Sequence, residues 1–220
     1  MSGIAIIDWA ILFALTLFAW VVGGGLWAYC MQQTDSLVAA AQRFQIYGWL
    51  LFPLATLVLC AAIWTRLDNP LQQLGFAQAP GLSGFALGAI TGVLLAGFSI
   101  FVNRRFLGSE PSEDDLAHLS SGWHELPSLV IIAPLGEELI YRGYGLLVLE
   151  PLGLLLTAII STLAFALMHY KPVVMLMALV AGTVLFVCYW FSGSLWVPVT
   201  AHAIANLGSW LWMRKLSLAE

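Results

Sequence analysis

Apolar residues occur along this chain in long runs that are separated by short polar stretches. A helix that crosses the hydrocarbon core of a bilayer needs about 20 apolar residues, and each run is close to that length. The runs cover residues 4–29, 44–64, 82–102, 126–149, 152–170, 173–191 and 195–213. We therefore predict an all-α fold, a polytopic transmembrane helical bundle of about seven spans that forms a single membrane domain over 1–220.

The spacing of the runs divides the chain into three parts. Three N-terminal spans lie within residues 1–105, and a polar, acidic loop follows at 106–125. The last four runs are joined by links of two or three residues, which are long enough only to connect antiparallel neighbours. Residues 126–213 are therefore predicted to form a four-helix core.

The composition excludes a soluble protein and gives no support for a nucleic-acid partner. Apolar residues make up 61% of the chain and charged residues 9%, whereas soluble domains average roughly half and a quarter. The net charge of -4 comes largely from four acids of the loop, Glu110, Glu113, Asp114 and Asp115. Such a charge run is typical of a solvated segment, and the expected surroundings of the protein are the lipid bilayer.

The basic residues of the loops predict the orientation of the chain. Cytoplasmic loops of membrane proteins carry an excess of Lys and Arg. If the C-terminus is cytoplasmic, that side holds Arg43, Arg104, Arg105, Lys171, Arg214 and Lys215. Arg66 is then the loop base on the opposite side. We predict a cytoplasmic C-terminus, a cytoplasmic acidic loop and, because the chain is small, a bacterial inner membrane.

Two carboxylates and a guanidinium interrupt the fourth apolar run. Each of Glu137, Glu138 and Arg142 costs about 2.5–3.5 kcal/mol at the centre of a span, so each must pair, hydrate or take part in chemistry. On an α-helix Glu138 and Arg142 are neighbours one turn apart, whereas Glu137 points about 100° away from Glu138. We predict a Glu138–Arg142 pair and a free acid, Glu137.

Polar side chains also occur in the fifth and seventh runs. His169 lies near the end of the fifth, and His202 and Asn206 lie four residues apart in the seventh, so they project from one helical face. Because polar groups in spans turn towards one another or a cavity, we expect these three and Glu137 to line one cavity that opens to the cytoplasm. A carboxylate, two imidazoles and an amide suit water activation and the stabilisation of an oxyanion.

Two further patterns concern packing. Gly84, Gly88 and Gly92 recur every four residues in the third run, which predicts a flat ridge that another helix approaches closely. Pro134 lies just before the two acids and has no amide N–H, so it predicts a kink and a freed carbonyl near the site.

The three polar motifs resemble those of the CAAX-protease and bacteriocin-processing family, also called the Abi family, whose motifs are EExxxR, FxxxH and HxxxN. In chain order they read Glu137-Glu138-Leu-Ile-Tyr-Arg142, Phe165-Ala-Leu-Met-His169 and His202-Ala-Ile-Ala-Asn206. The resemblance covers residues of about 126–213. It implies an all-helical intramembrane peptidase related to the type II CAAX prenyl endopeptidases, with its catalytic core in the last four spans.

The resemblance also implies roles for single residues. Glu137 and His169 would activate the water, and His202 and Asn206 would stabilise the oxyanion. The supporting residues would be Glu138, Arg142 and Phe165.

The resemblance leaves open whether a metal takes part. Members of the family are often called metalloproteases, and a metal-free, glutamate-dependent mechanism is also argued for the fold. If zinc is present, its ligands would be Glu137, His169 and His202. The HExxH spacing that is typical of a zinc protease is absent from the sequence.

Three functions are compatible with the sequence. The favoured one is an intramembrane endopeptidase that cuts a peptide or membrane-protein substrate near the cytoplasmic face. The second is a non-catalytic immunity or scaffold protein of the same fold, and the third is a small proton-coupled transporter. Inverted repeats would favour the transporter, and the sequence shows no such repeats. Replacement of Glu137 by Gln abolishes activity in the first case and preserves it in the second.

Overall fold

The computed structural model describes residues 6–107, 123, 126–169 and 172–217, and the regular structure within them is helical throughout. The N-terminal part contains α1 (Ile6–Gln32), α2 (Leu37–Trp64), the short α3 (Pro70–Gln73) and α4 (Gly81–Val102), which a π-helical turn extends over Asn103–Leu107. The C-terminal part contains a composite helix, α5 (127–149), and then α6 (Leu154–Leu167), α7 (Pro172–Ser192) and α8 (Trp196–Ser217).

The prediction of an all-helical fold is confirmed, and a helix occupies each of the seven apolar runs. Among the described residues, two helices are long and apolar enough to cross a membrane, Gly81–Phe106 and Pro172–Ser192. Helix α6 has 14 residues, fewer than a full span needs. That seven helices cross the membrane therefore remains a prediction. Of the predicted loop 106–125, the four acids lie outside the described residues.

Helix α4 packs along α8 through its glycines, as the sequence predicts. A Cβ on Gly88 would lie 2.8 Å from the carbonyl oxygen of Val197, and one on Gly92 would lie 2.5 Å from that of Ala201. Both distances are shorter than real Cβ contacts, so only glycine lets the two backbones come this close. The contact holds α8, which carries His202 and Asn206, directly against α4.

Helix α5 alternates between π-helical and α-helical turns. Its segments are Pro127–Ile132 (π), Ala133–Glu138 (α), Leu139–Tyr144 (π) and Gly145–Leu149 (α). Side chains of α6 reach two backbone carbonyls of α5, one in the second π-helical turn and one at the end of the helix. Ser161 donates to the carbonyl of Tyr141 at 2.8 Å, and Thr157 donates to that of Leu149 at 2.7 Å. These bonds fix α5, which carries the two acids, against α6.

The segment after α3 closes the end of the bundle where α7 turns into α8. The amide of Leu195 donates to the carbonyl of Gly75 at 3.0 Å, and the Ser194 hydroxyl donates to that of Gln78. Gly193 makes the turn with a φ of 62°, a left-handed conformation that favours glycine. The predicted short link at 192–194 is thus confirmed.

A polar contact between α1 and α5 was not predicted from the sequence. Oδ1 of Asp8 accepts a hydrogen bond from the Tyr144 hydroxyl at 2.8 Å and two from the Arg66 guanidinium at 3.0 and 3.1 Å. Since Tyr144 belongs to the π-helical turn that also carries Arg142, this network ties the N-terminal helices to the helix of the two acids.

Candidate functional site

The centre of the site is a buried ion pair. The side chains of Glu138 and Arg142 are both 0% exposed, and Nη1 of Arg142 donates to Oε1 of Glu138 at 3.2 Å. This is the pair that the one-turn spacing predicts. The guanidinium also lies over the ring of Phe165, with Cζ 4.2 Å from the ring centroid. The Phe of the second motif therefore supports the Arg of the first through a cation–π contact.

Arg142 is also bound to the backbone of α7. Its Nη2 donates to the carbonyl of Gly182 at 3.0 Å. A Cβ at Gly182 would lie 3.2 Å from Nη2 and 3.0 Å from Cδ1 of Phe165, so a larger residue would crowd the guanidinium. The sequence gives no signal for this role, because it depends on which helix faces Arg142.

His202 lies between the two acids. Its Nδ1 is 2.9 Å from Oε1 of Glu138, and its Nε2 is 3.9 Å from Oε2 of Glu137. An ionised carboxylate can only accept a hydrogen bond, so Nδ1 of His202 must carry a proton and donate that hydrogen bond to Glu138. The 3.9 Å distance is too long for a direct hydrogen bond, and a water that bridges the two atoms would have to lie to the side of the line that joins them. The Glu137 side chain is 23% exposed, in contrast to its buried neighbour.

Asn206 donates to one backbone carbonyl of α5. In the first π-helical turn the amide of Ala133 pairs with the carbonyl of Ser128, five residues earlier. The next amide would pair with Leu129, but that position is Pro134, which has no N–H. Nδ2 of Asn206 donates to the Leu129 carbonyl at 3.0 Å instead. The structure thus agrees with the prediction that Pro134 frees a carbonyl, and it shows a second use for Asn206.

His169 also packs against Phe165. Its Nδ1 is 3.2 Å from the carbonyl oxygen of Phe165, and the His169 and Phe165 rings pack edge to face with centroids 5.4 Å apart. The His202 ring packs on the same Phe165 ring with centroids 5.8 Å apart. The structure therefore gathers both imidazoles around one aromatic ring, and it shows no direct contact between His169 and Glu137.

A cavity of about 130 Å³ lies between α4, α6, α7 and α8. His169, His202 and Asn206 line it, together with Phe165 and apolar side chains such as Leu95. Glu137 is not among its lining residues and lies beyond His202. Three of the four side chains expected at one cavity are thus brought together, and the fourth, Glu137, lies 3.9 Å from the lining residue His202.

The described residues do not assemble a metal centre. No group of three or more His, Cys, Asp or Glu side chains in the part of the chain that the structure describes is arranged to hold a metal ion. The ligand set that a zinc ion would need, Glu137, His169 and His202, is not gathered at one point.

The ionisable groups of the site follow one another in a row, of which Glu137 is partly exposed and the other three are buried. Two carboxylates, one guanidinium and one imidazole follow in the order Glu137, His202, Glu138, Arg142. Within the described residues, Oε2 of Glu138 and Nε of Arg142 are buried without a hydrogen-bond partner. Buried groups of this kind are costly and are typical of functional sites in membranes. The arrangement can hold a water at Glu137 and orient His202 towards it.

The comparison with protein families agrees with the motifs. Residues 119–208 match the family model described as "Type II CAAX prenyl endopeptidase Rce1-like", and this range contains all three motifs. Comparisons with curated proteins and with solved structures gave no match. The predicted resemblance is therefore confirmed: residues 119–208 are similar to the type II CAAX prenyl endopeptidases, a family of integral membrane proteases.

Proposed function

We propose that the protein is an intramembrane endopeptidase that hydrolyses a peptide bond near the cytoplasmic face of the membrane, with Glu137 as the base that activates water. The match to a protease family supports the reaction class. One observation carries the mechanism: Oε2 of Glu137 and Nε2 of His202 are 3.9 Å apart. A water about 2.8 Å from each atom would lie about 2 Å to the side of the line that joins them, where it can hydrogen-bond to both.

In the first step Glu137 accepts a proton from this water. The water oxygen forms a bond to the carbonyl carbon of the substrate, and the electron pair of the C=O bond moves to the carbonyl oxygen. Such a base acts within hydrogen-bond reach of the proton that it removes, which the bridging position provides.

The oxyanion needs donors that face the cavity. Because Nδ1 of His202 donates to Glu138, the other ring nitrogen donates only when the imidazole is charged. A charged His202 also balances the four groups, since it gives two positive and two negative charges. Asn206 has a second amide N–H besides the one on Leu129. These two donors suit the role that the resemblance implies.

In the second step the tetrahedral intermediate collapses. The carbonyl re-forms, the C–N bond breaks, and the proton held by Glu137 passes to the leaving nitrogen, which departs as an amine. One water is consumed, and Glu137 returns to its carboxylate form. His169 lines the cavity beside Phe165 and makes no direct contact with Glu137, so in this mechanism it contacts the substrate.

The substrate in this proposal is a peptide or a segment of a membrane protein, and the membrane is a bacterial inner membrane with the C-terminus of the protein in the cytoplasm. The distribution of basic residues supports the orientation. The apolar walls of the cavity suit a substrate segment that is itself hydrophobic.

The test compares membrane proteomes of cells that express the native protein, the Glu137→Gln variant or a Glu150→Gln control. Glu150 follows α5 and is exposed, so the control removes an equivalent charge outside the site. New polypeptide termini should appear with the native protein and the control and be absent with Glu137→Gln. A biological effect that Glu137→Gln retains in full, without new termini, would support the non-catalytic immunity or scaffold function instead.

A further inference from the structure

Helices α4 and α8 run parallel, so both end at the same face of the bundle. A Cβ on Gly92 of α4 would lie 2.5 Å from the carbonyl oxygen of Ala201 of α8. Further along both helices, a Cβ on Gly208 would lie 2.7 Å from the Cβ of Ala96. The residue numbers rise together on the two helices, which is the pattern of a parallel pair. The last turns of α4 and α8 therefore lie side by side.

Each of these two ends carries a pair of adjacent basic residues. The π-helical turn that extends α4 contributes Arg104 and Arg105, and the last turn of α8 contributes Arg214 and Lys215. We call these four residues the basic cluster. Within the described part of the chain, Arg104, Arg105 and Lys215 are exposed and form no ion pair. The negative ends of two helix dipoles amount together to about one unit charge, which is less than the charge of these three side chains.

Aromatic rings place the basic cluster at the level of the lipid headgroups. Cζ of Arg214 lies 4.6 Å from the ring centroid of Trp123, and Cζ of Arg105 lies 5.7 Å from that of Phe106. Trp123 is 60% exposed, and tryptophan is enriched where the hydrocarbon of a bilayer meets the headgroups. Phe101, which is also 60% exposed, comes just before the cluster on α4, where acyl chains would surround it. The cluster thus has cations beside exposed apolar surface.

We propose that the basic cluster binds the phosphate of an anionic phospholipid whose acyl chains lie along α4. A guanidinium whose face lies on a ring keeps N–H groups on its edge, so Arg105 can contact Phe106 and donate to phosphate oxygens together. Each Lys or Arg near an anionic membrane surface strengthens association by about fivefold. A lipid held in this way joins the ends of α4 and α8, so it should also stabilise the folded protein. The site shares no residue with the proposed catalytic machinery.

The experiment measures binding to the full chain in detergent, with phosphatidylglycerol added in steps. Native mass spectrometry counts bound lipids, and thermal unfolding records the rise in melting temperature that a ligand of the folded state produces. Phosphatidylethanolamine, which carries no net charge, should bind about tenfold more weakly. Glycerol phosphate has the phosphate but no acyl chains, so it should not raise the melting temperature at the same concentration. An equal rise with glycerol phosphate would overturn a lipid site in favour of a soluble phosphate.

Variants of the cluster test which residues hold the lipid. The double variant Arg104→Gln with Arg105→Gln should weaken phosphatidylglycerol binding by about 25-fold, and Lys215→Gln should weaken it by about fivefold. Arg104→Lys with Arg105→Lys keeps both charges, so it should retain most of the binding. Loss of binding in the lysine variant, with a native melting temperature in the absence of lipid, would contradict a site that depends on charge.

Arg43→Gln is the matched control for Lys215→Gln. Arg43 belongs to α2 and is predicted to lie at the same membrane face, where its guanidinium donates to the Gln33 carbonyl at 3.2 Å. Its removal should leave lipid binding unchanged. An equal effect of the two variants, or equal binding of the two phospholipids, would overturn the site, because general attraction to a basic face would then suffice. A protein that copurifies through Arg104 and Arg105, without binding of phosphatidylglycerol, would overturn it in favour of a protein partner.

Discussion

Nδ1 of His202 lies 2.9 Å from Oε1 of Glu138, the same oxygen that accepts from Arg142 at 3.2 Å. The acid that the resemblance gives a supporting role therefore holds the ring of a predicted oxyanion residue directly. Arg142 in turn is held by the Gly182 carbonyl and the Phe165 ring. A change at any of these positions is expected to move the His202 ring. Because Nε2 of that ring lies 3.9 Å from Glu137, the change would also alter the distance between His202 and Glu137.

Arg142→Ala should destabilise the protein far more than Glu137→Gln. Removing the guanidinium breaks this fully buried ion pair and leaves Glu138 with His202 alone as its hydrogen-bond partner, which costs roughly 3–5 kcal/mol. Glu137 is partly exposed, and Gln has nearly the same shape. Thermal unfolding in detergent measures both effects, and cleavage assays should show that both variants are inactive. Equal falls in melting temperature would contradict the idea that Glu138 is a structural acid and Glu137 is not.

Gly182→Ala should lower both stability and activity. The new methyl group would lie 3.2 Å from Nη2 of Arg142 and 3.0 Å from the Phe165 ring, which have little room to move. Gly97→Ala is the matched control, because a Cβ there meets nothing within 4 Å. In the control, stability should stay level or rise slightly, since Ala favours a helix by about 1 kcal/mol over Gly. A similar response of the two variants would show that Arg142 tolerates displacement.

Tyr144→Phe and Asp8→Asn should have effects that do not add. Tyr144→Phe removes the hydroxyl–carboxylate bond of 2.8 Å between α5 and α1, a loss of about 0.5–1.5 kcal/mol, and Asp8→Asn weakens the same bond because the acceptor oxygen loses its charge. Asp8→Asn also weakens the pair with Arg66, so it should cost more. A double-mutant cycle in thermal unfolding measures the coupling. Fully additive losses would mean that the two side chains act independently.

Zinc should bind weakly or not at all. The side chains that would have to hold it, Glu137, His169 and His202, do not form a metal-ligating group in the described part of the chain. Elemental analysis of purified protein and treatment with a chelator, followed by zinc addition, measure this directly. One tightly bound zinc per chain, with activity that chelation removes and zinc restores, would overturn the prediction.

The local parts of the site could be predicted from the sequence, because they depend on spacing along one helix. The Glu138–Arg142 pair follows from a one-turn separation, and the α4 ridge follows from glycines every four residues. The Glu138–His202 contact joins residues 64 positions apart, and its distance depends on how α5 and α8 pack. Periodicity gives the faces of two helices but not their relative rotation, so it could not place His202 on Glu138.

The same reason explains what the sequence missed. Gly182 matters only because the Arg142 guanidinium reaches its carbonyl, and Asp8 matters only because α1 lies beside Tyr144. Neither residue belongs to a motif. A polar residue early in an apolar run, such as Asp8, was the one available signal, since acids within spans usually have partners.

Asn206 and Pro134 provide a test that separates support from catalysis. Asn206→Ala removes the donor to the Leu129 carbonyl and leaves it unpaired inside the bundle, a loss of roughly 1–3 kcal/mol. Pro134→Ala restores a backbone N–H five residues after Leu129, where the π-helical pairing of Ala133 with Ser128 continues. The double variant should therefore recover most of the stability that Asn206→Ala loses, as measured by thermal unfolding against Pro134→Ala alone.

If Asn206 also donates to the oxyanion, cleavage should stay lost in the double variant. Recovery of activity together with stability would show that Asn206 acts only through α5, and no recovery of stability would show that the Leu129 carbonyl is not the group that needs it.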